Sequence, residues 1–258
     1  MIRIDRQNEI CRLLEKNGTV SVKAVAQKLN VSEVTIRRDF EELGARGLLR
    51  RVHGGAAAID QYDAPVMFRD YSRSIKQTRH AEEKRAIGQI AASLIEEGQA
   101  VYLAAGTTVE SMVPFLPKCR LRIVTNSLPV FNELSEEENY DLFLIGGSYD
   151  RHIGAFTGSF AEEFISRLGT DIAFVSSDGV DGSGISSAYM EEAEFQRCAL
   201  SVAKKRILLA DSSKIGEREF FTFFNLSDLD AIVVEPDAPQ ERIEKLGDYA
   251  SKLLKLPL

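Results

Sequence analysis

The chain has 258 residues, of which 44% are hydrophobic and 28% charged, and a net charge of −7 at pH 7. That balance excludes a disordered chain and supplies core material for one small and one ordinary domain. There is no long uncharged apolar run to span a bilayer, and the N-terminal MIRIDRQNEICRLLEK reads as a charged amphipathic helix rather than a signal peptide. A cytoplasmic protein with no membrane partner is expected. Cys11, Cys119 and Cys198 are odd in number and widely spaced, and His53, His80 and His152 are scattered, so no disulfide framework, metal site or cofactor is expected.

Residues 18 to 55 carry the densest local signals. Val22, Val25, Ala26 and Leu29 recur at helical spacing opposite Lys23, Gln27 and Lys28. Ser21 is placed to cap that helix at its start and Asn30 to stop it in the left-handed conformation. Ser32 then caps a second helix with Ile36, Phe40 and Leu43 inward and Thr35, Arg37 and Arg38 outward, with Gly44 and Gly47 expected at its end. Leu48 to Arg51, Val52 and the Gly54-Gly55 pair fit a two-stranded wing. A helix, a turn, a second helix with arginines in its first two turns and a basic hairpin together describe a reader of double-stranded DNA. Ser32, Thr35, Arg37 and Arg38 would meet the groove, and Arg50, Arg51 and His53 the backbone.

Charge is divided to match. Residues 1 to 55 hold 11 Lys+Arg and 7 Asp+Glu, whereas the remainder holds 21 and 32, so a basic head sits on an acidic protein and only the head suits a polyanion. Residues 56 to 78 break both periodicities, and the chain divides into a head over 1–57, a linker over 58–79 and a second domain over 80–258.

In that second domain a helical pattern runs from His80 to Glu97 and is closed by Gly98. Short apolar strands are expected at 100–104, 122–125, 142–145, 172–175, 207–209 and 231–234, separated by helices at 108–116, 128–134, 159–168 and 191–204, with a closing helix over 241–254. This alternation argues for a mostly parallel α/β sheet. Small molecules bind such sheets at the carboxyl ends of the strands, where this chain places Gly106-Thr107-Thr108, Thr125-Asn126-Ser127, Gly146-Gly147, Ser177-Asp178-Gly179 and Asp211 to Lys214. Glycine followed by free amides and hydroxyls is suited to a phosphate, so a phosphorylated small molecule is expected. Asp178 to Gly184 lacks the alternating oxygen ligands of a calcium loop and reads as a turn.

Val31-Ser32 through Thr35-Ile36-Arg37-Arg38-Asp39 to His53-Gly54-Gly55-Ala56 resembles the head of the DeoR family of bacterial transcription regulators. The resemblance extends through Leu103 to Thr108, Val124 to Val130, Gly146-Gly147, Asp178-Gly179, Glu191 to Glu194 and Ala210 to Lys214. It implies a winged helix-turn-helix and a sensor domain similar to ribose-phosphate isomerases, usually in a repressor released by a phosphorylated sugar or sugar alcohol and acting as a dimer or tetramer. The resemblance places the effector phosphate at Gly106, Thr107 and Thr108, with Asn126, Gly147, Asp178, Glu192 and Lys214 lining the pocket. Ala104 and Gln196 depart from the acid and lysine common in the family, and Arg197 is a substitute cation if it reaches inward. Two alternatives stand beside this reading: a sugar-phosphate isomerase-like enzyme with an appended head, for which Ala104 removes an expected acid, and an architectural or RNA-binding protein without an effector.

Overall fold

The structure, a computed structural model, describes residues 3–45, 48–52, 54–57 and 73–254. The chain forms two compact units, Met1–Tyr71 and Ser72–Leu258. His53, Gly47 and most of the expected linker lie outside the described residues.

The first unit runs α1 (Arg3–Asn17), β1 (Thr19–Ser21), α2 (Val22–Leu29), α3 (Glu33–Ala45), β2 (Arg50–Val52) and β3 (Gly55–Ala57). Its sequence signals act as expected. Ser21 Oγ accepts from Ala24 N at 3.1 Å to start α2, and Asn30 ends it at φ 52°, ψ 50°. Ser32 Oγ accepts from Thr35 N at 3.1 Å to start α3, and that helix continues through Gly44 to Ala45. The three strands form an antiparallel sheet in the order β1-β3-β2. Gly55 makes this possible, because a Cβ there would lie 2.2 Å from the Val20 carbonyl oxygen. Ile10, Leu14, Val25, Ile36, Phe40, Leu43 and Leu49 form the buried core of the unit.

One polar contact is buried beside that core. Asp39, on α3, is 2% exposed and accepts from Arg6 of α1 through Nε at 2.5 Å and Nη2 at 3.1 Å. Gln7 adds a longer bond at 3.4 Å. A bidentate guanidinium–carboxylate pair fixes direction as well as distance, so α1 sets the rotation of α3 about its own axis.

The second unit begins with α4 (Arg73–Thr78), where the sequence suggested the end of a linker, and α5 (Ala81–Ala92). It continues through β4 (Ala100–Leu103), α6 (Thr107–Glu110), β5 (Leu121–Thr125), α7 (Leu128–Leu134), β6 (Tyr140–Leu144), β7 (Ser148–Asp150), β8 (Ala155–Thr157), α8 (Ser159–Ser166) and β9 (Thr170–Ser176). Then come β10 (Gly179–Asp181), β11 (Gly184–Ser187), α9 (Met190–Ser201), β12 (Ala203–Leu209), β13 (Phe221–Phe224), β14 (Ala231–Val233), α10 (Gln240–Glu244) and β15 (Leu253–Leu254). A seven-stranded sheet in the order β15-β14-β12-β9-β4-β5-β6 is parallel throughout.

Three helical expectations shorten for local reasons. The helix from His80 stops at Ala92, where Ser93 Oγ donates to Ile90 O at 2.7 Å and competes with the backbone ladder. The helix after β4 has four residues and is followed by a 3-10 turn at Val113–Phe115, since Pro114 cannot donate to a continuing ladder. The closing helix breaks at Gly247, in the left-handed region at φ 56°, and Leu253-Leu254 instead join the sheet beside β14.

Strand order places the ligand site. From β4 the chain moves outward to β5 and β6, then returns to add β9, β12 and β14 on the other side. The reversal lies between β4 and β9, and at such a point the loops leaving the two strands diverge and open a crevice at their carboxyl ends.

Candidate functional sites

On the first unit, α3 turns Arg37 and Arg38 outward, with side chains 65% and 82% exposed. Arg50 and Arg51 are exposed on β2. Three of these four cations rest against glutamates: Arg37 on Glu33 at 3.3 Å, Arg38 on Glu42 at 3.8 Å and Arg51 on Glu41 at 3.4 Å. Exposed pairs of this kind contribute about 0–1 kcal/mol, so a phosphate or base can take the arginine at little cost. Ser32 and Thr35 differ from the arginines. Their hydroxyls lie 2.8 Å apart in contact with each other, and Ser32 also caps α3, so both are engaged in the helix start.

On the second unit, a small cleft opens at the strand reversal. It is lined by Gly106 after β4, by Ser176, Ser177 and Asp178 at the end of β9, and by Ser187, Glu192, Gln196 and Lys214. Lys76 of α4 and Thr107 complete it. Gly106 has φ 126°, and a Cβ there would stand 2.4 Å from Ser176 Oγ; only glycine leaves room between the two strand ends.

Electrostatics organise the floor. Lys76 Nζ donates to Asp178 Oδ1 at 2.6 Å and lies 5.8 Å from the centre of the Tyr189 ring. Asp178 Oδ2 accepts from Ser187 Oγ and Ala188 N, each at 3.2 Å. Burial opposes the Asp178 charge, but Lys76 and Lys214 outweigh it and hold the carboxyl below its usual range. Lys76 is likewise opposed by burial and held above its usual range by Asp178 and Glu192. For Glu192 the balance is reversed: burial, with repulsion from Asp178, outweighs the attraction of Lys76 and Lys214 and pushes it up to about 7, so near neutral pH it is in part an uncharged carboxyl that can donate. Gln196 Nε2 donates to Glu192 Oε1 at 3.3 Å. Gln196 Oε1 and Ser177 Oγ are buried without a hydrogen-bond partner among the described residues. Buried polar atoms in that state favour a ligand that brings hydroxyls.

Beneath α4 lies Lys84, only 4% exposed. Its Nζ donates to Arg79 O at 2.7 Å and to Lys76 O, which ties down the end of the helix that carries Lys76. Burial, with a smaller contribution from Lys214, pushes the Lys84 ammonium down to about 7, and a neutral amine still supplies two donors for two carbonyls. Between about pH 7 and the unfolded value of 10.5, the unfolded chain binds more protons than the folded one, so stability rises with pH in that window. Urea unfolding of the second unit at pH 7, 8 and 9 should therefore show a positive slope of at most about 1.4 kcal/mol per pH unit from this group. Lys84→Met should flatten it; an unchanged slope in the variant would contradict the assignment.

Five of the nine sequence-expected effector residues line the cleft: Gly106, Thr107, Asp178, Glu192 and Lys214. Asn126 stands behind it, accepting from Tyr102 OH at 2.9 Å and Ala105 N at 3.3 Å, and so braces the loop after β4. Thr108 is buried without reaching the lining. Gly147 packs against β8, where a Cβ would lie 2.5 Å from Thr157 O. Arg197 does not reach inward: its side chain is 49% exposed and pairs with Glu194 at 2.7 Å. One residue of helix turns the side chain by about 100°, and the inward position belongs to Gln196. Lys76, Ser176 and Ser187 were not among the expected residues, and Ser177, expected only as part of a strand-end turn, joins the lining.

A winged head that exposes arginines from α3, on a chain with an α/β domain whose cleft gathers lysines, carboxyls and hydroxyls at the strand ends, defines the class: a DNA-binding regulator with a small-molecule sensor. Residues 6–62 match the DeoR-like helix-turn-helix domain and residues 79–236 the DeoR C terminal sensor domain. The chain belongs to the DeoR family. It is 36% identical over 251 residues to a lactose phosphotransferase system repressor of Streptococcus mutans, covering 96% of this chain and 98% of that protein. It is 37% identical over 252 residues to a protein of the same name from Staphylococcus epidermidis, with the same coverage. Among solved structures it is similar to ribose 5-phosphate isomerase A of Methanocaldococcus jannaschii, at 15% identity over 52% of this chain and 54% of that one, with a TM-score of 0.38. The two family matches and the repressor relatives make the protein a DNA-binding transcriptional regulator. No helix of the described residues is long and apolar enough to cross a membrane.

Proposed function

We propose that this regulator is a cytoplasmic repressor of a carbohydrate-metabolism operon, and that a phosphorylated sugar or sugar alcohol bound in the cleft releases it from its operator. The observation that carries the reading is the pairing of two lysines, Lys76 and Lys214, with uncharged polar atoms of Ser177 and Gln196 in one cleft. A phosphate meets the lysines beside Gly106 and Thr107; the sugar hydroxyls meet Ser177, Gln196 and Glu192. The names of the relatives support a sugar-linked role.

Release is a coupling free energy. A ligand that prefers the non-binding arrangement by about 3 kcal/mol lowers operator affinity by on the order of a hundredfold. Lys76 sits on the first helix after residues 58–72, so a phosphate that draws Lys76 away from Asp178 acts on the segment leading from the head. A single head offers too little surface for tight specific binding, and a homo-oligomer presents two heads to paired half-sites.

The test is binding of the full-length protein to DNA selected from a random duplex library, titrated with pentose, hexose and hexitol monophosphates and with the same compounds lacking phosphate. Only phosphorylated compounds should release the DNA. Lys76→Met should raise the concentration needed by about 10- to 100-fold, the loss of one charge-assisted contact. Thr107→Ala should raise it by less, and both variants should bind DNA normally without sugar. Release by unphosphorylated sugars, or normal release of the Lys76 variant, would overturn the reading.

A further inference from the structure

Val34 is 76% exposed, the most exposed large apolar side chain among the described residues of the head. It lies in the first turn of α3, and Arg37 and Arg38 follow it at three and four residues, on the same outward face. Ile36, about 200° around the helix from it, is fully buried. Val34 belongs to neither apolar cluster of the head core nor its partly buried fringe, and valine is a poorer helix former than alanine. Among the described residues of the head, no apolar cluster includes this side chain.

Its polar neighbours are already engaged. Ser32 and Thr35 are bound to each other, and Glu33 holds Arg37. The group that the first turn of α3 presents outward is therefore an isopropyl group flanked by two arginines. The first residues of a recognition helix meet base edges in the major groove, and among the four bases only thymine offers an apolar group there, its 5-methyl.

We infer that Val34 is a specificity-determining residue of the head, reading the 5-methyl group of a thymine in each half-site while Arg37 and Arg38 hold the DNA on either side. The partner is fixed by charge complementarity as well as by shape: cations flank the apolar contact, as a phosphate-lined groove requires.

The probe is a duplex selected by the full-length protein from a random library, with its thymines replaced one at a time by deoxyuridine, which removes only the methyl. One position per half-site should weaken wild-type binding by about fourfold, the value of one buried methyl. Val34→Ala, a change that favours the helix, should weaken binding to the thymine duplex to a similar degree and be indifferent to uracil at that position alone. The inference is overturned if no uracil position loses its effect in the variant, whether because Val34→Ala binds normally or because it weakens every sequence uniformly, as a contact to deoxyribose would. Retained near-ultraviolet and far-ultraviolet spectra in Val34→Ala exclude misfolding as the cause of any loss.

Discussion

Replacing Arg37 and Arg38 together by alanine is expected to weaken operator binding on the order of a thousandfold, two lost contacts at about 1 kcal/mol each in each head of the proposed two-headed assembly. The loss should come without unfolding, because both arginine side chains are exposed, and Glu42, the less exposed of their two partners, keeps its contacts with Arg3 and Gln7. Single variants separate the roles. A phosphate contact, once lost, should reduce the dependence of log affinity on log salt by about 0.9 per phosphate, whereas a base contact should relax preference at one position. Fluorescence anisotropy across 50 to 200 mM salt reads both. Unchanged binding in the double variant would mean that another face of the head enters the groove.

The second large effect is on the head's stability. Asp39→Ala removes the buried partner of Arg6 and leaves a guanidinium that is 12% exposed without its carboxylate. Burial opposes the Arg6 charge; the hydrogen bond to Asp39 outweighs it and holds the group above its usual range. Breaking a buried pair costs roughly 3–5 kcal/mol, and a core the size of this head supplies only about 3–5 kcal/mol in total. Hydrogen exchange on the full-length protein should then show amides of α1 and α3 losing protection while β4, β9 and β12 keep theirs. Arg6→Met combined with Asp39→Leu should recover much of the loss, since an apolar pair of similar size leaves no charge behind. Full protection in Asp39→Ala would show that the pair only decorates the packing of α1 on α3.

The head is legible in the chain because its signals are local. Ser21, Asn30 and Ser32 act on backbone groups within four residues, and Val22, Val25, Ile36, Phe40 and Leu43 mark their buried faces by spacing alone. The part of Asp39 is not legible in that way, because its partner is 33 residues distant. The same division runs through the sensor. Gly106, Asp178 and Lys214 follow apolar strands directly, so the rule that places ligands at strand ends finds them. Lys76 stands on a six-residue helix, too short to show a period, in a region whose composition suggests a linker. Gln196 and Arg197 show the limit of spacing: Ala193, Gln196, Ala199 and Leu200 are buried on α9, so the inward face was marked at three- and four-residue steps, but charge drew the expectation one residue too far. Ser177 shares the strand-end position of Asp178, whereas Ser187 has no pattern of its own and becomes a site residue only once β11 folds beside the cleft.

The most direct test of a metabolite-released repressor is to capture genomic fragments on the purified full-length protein and sequence them, with and without a pool of phosphorylated sugars. A few sites, upstream of carbohydrate-metabolism genes and lost when the pool is added, are the predicted result. Sites that persist unchanged in the pool would contradict the account, leaving a DNA-binding head whose sensor answers to something other than a phosphorylated sugar.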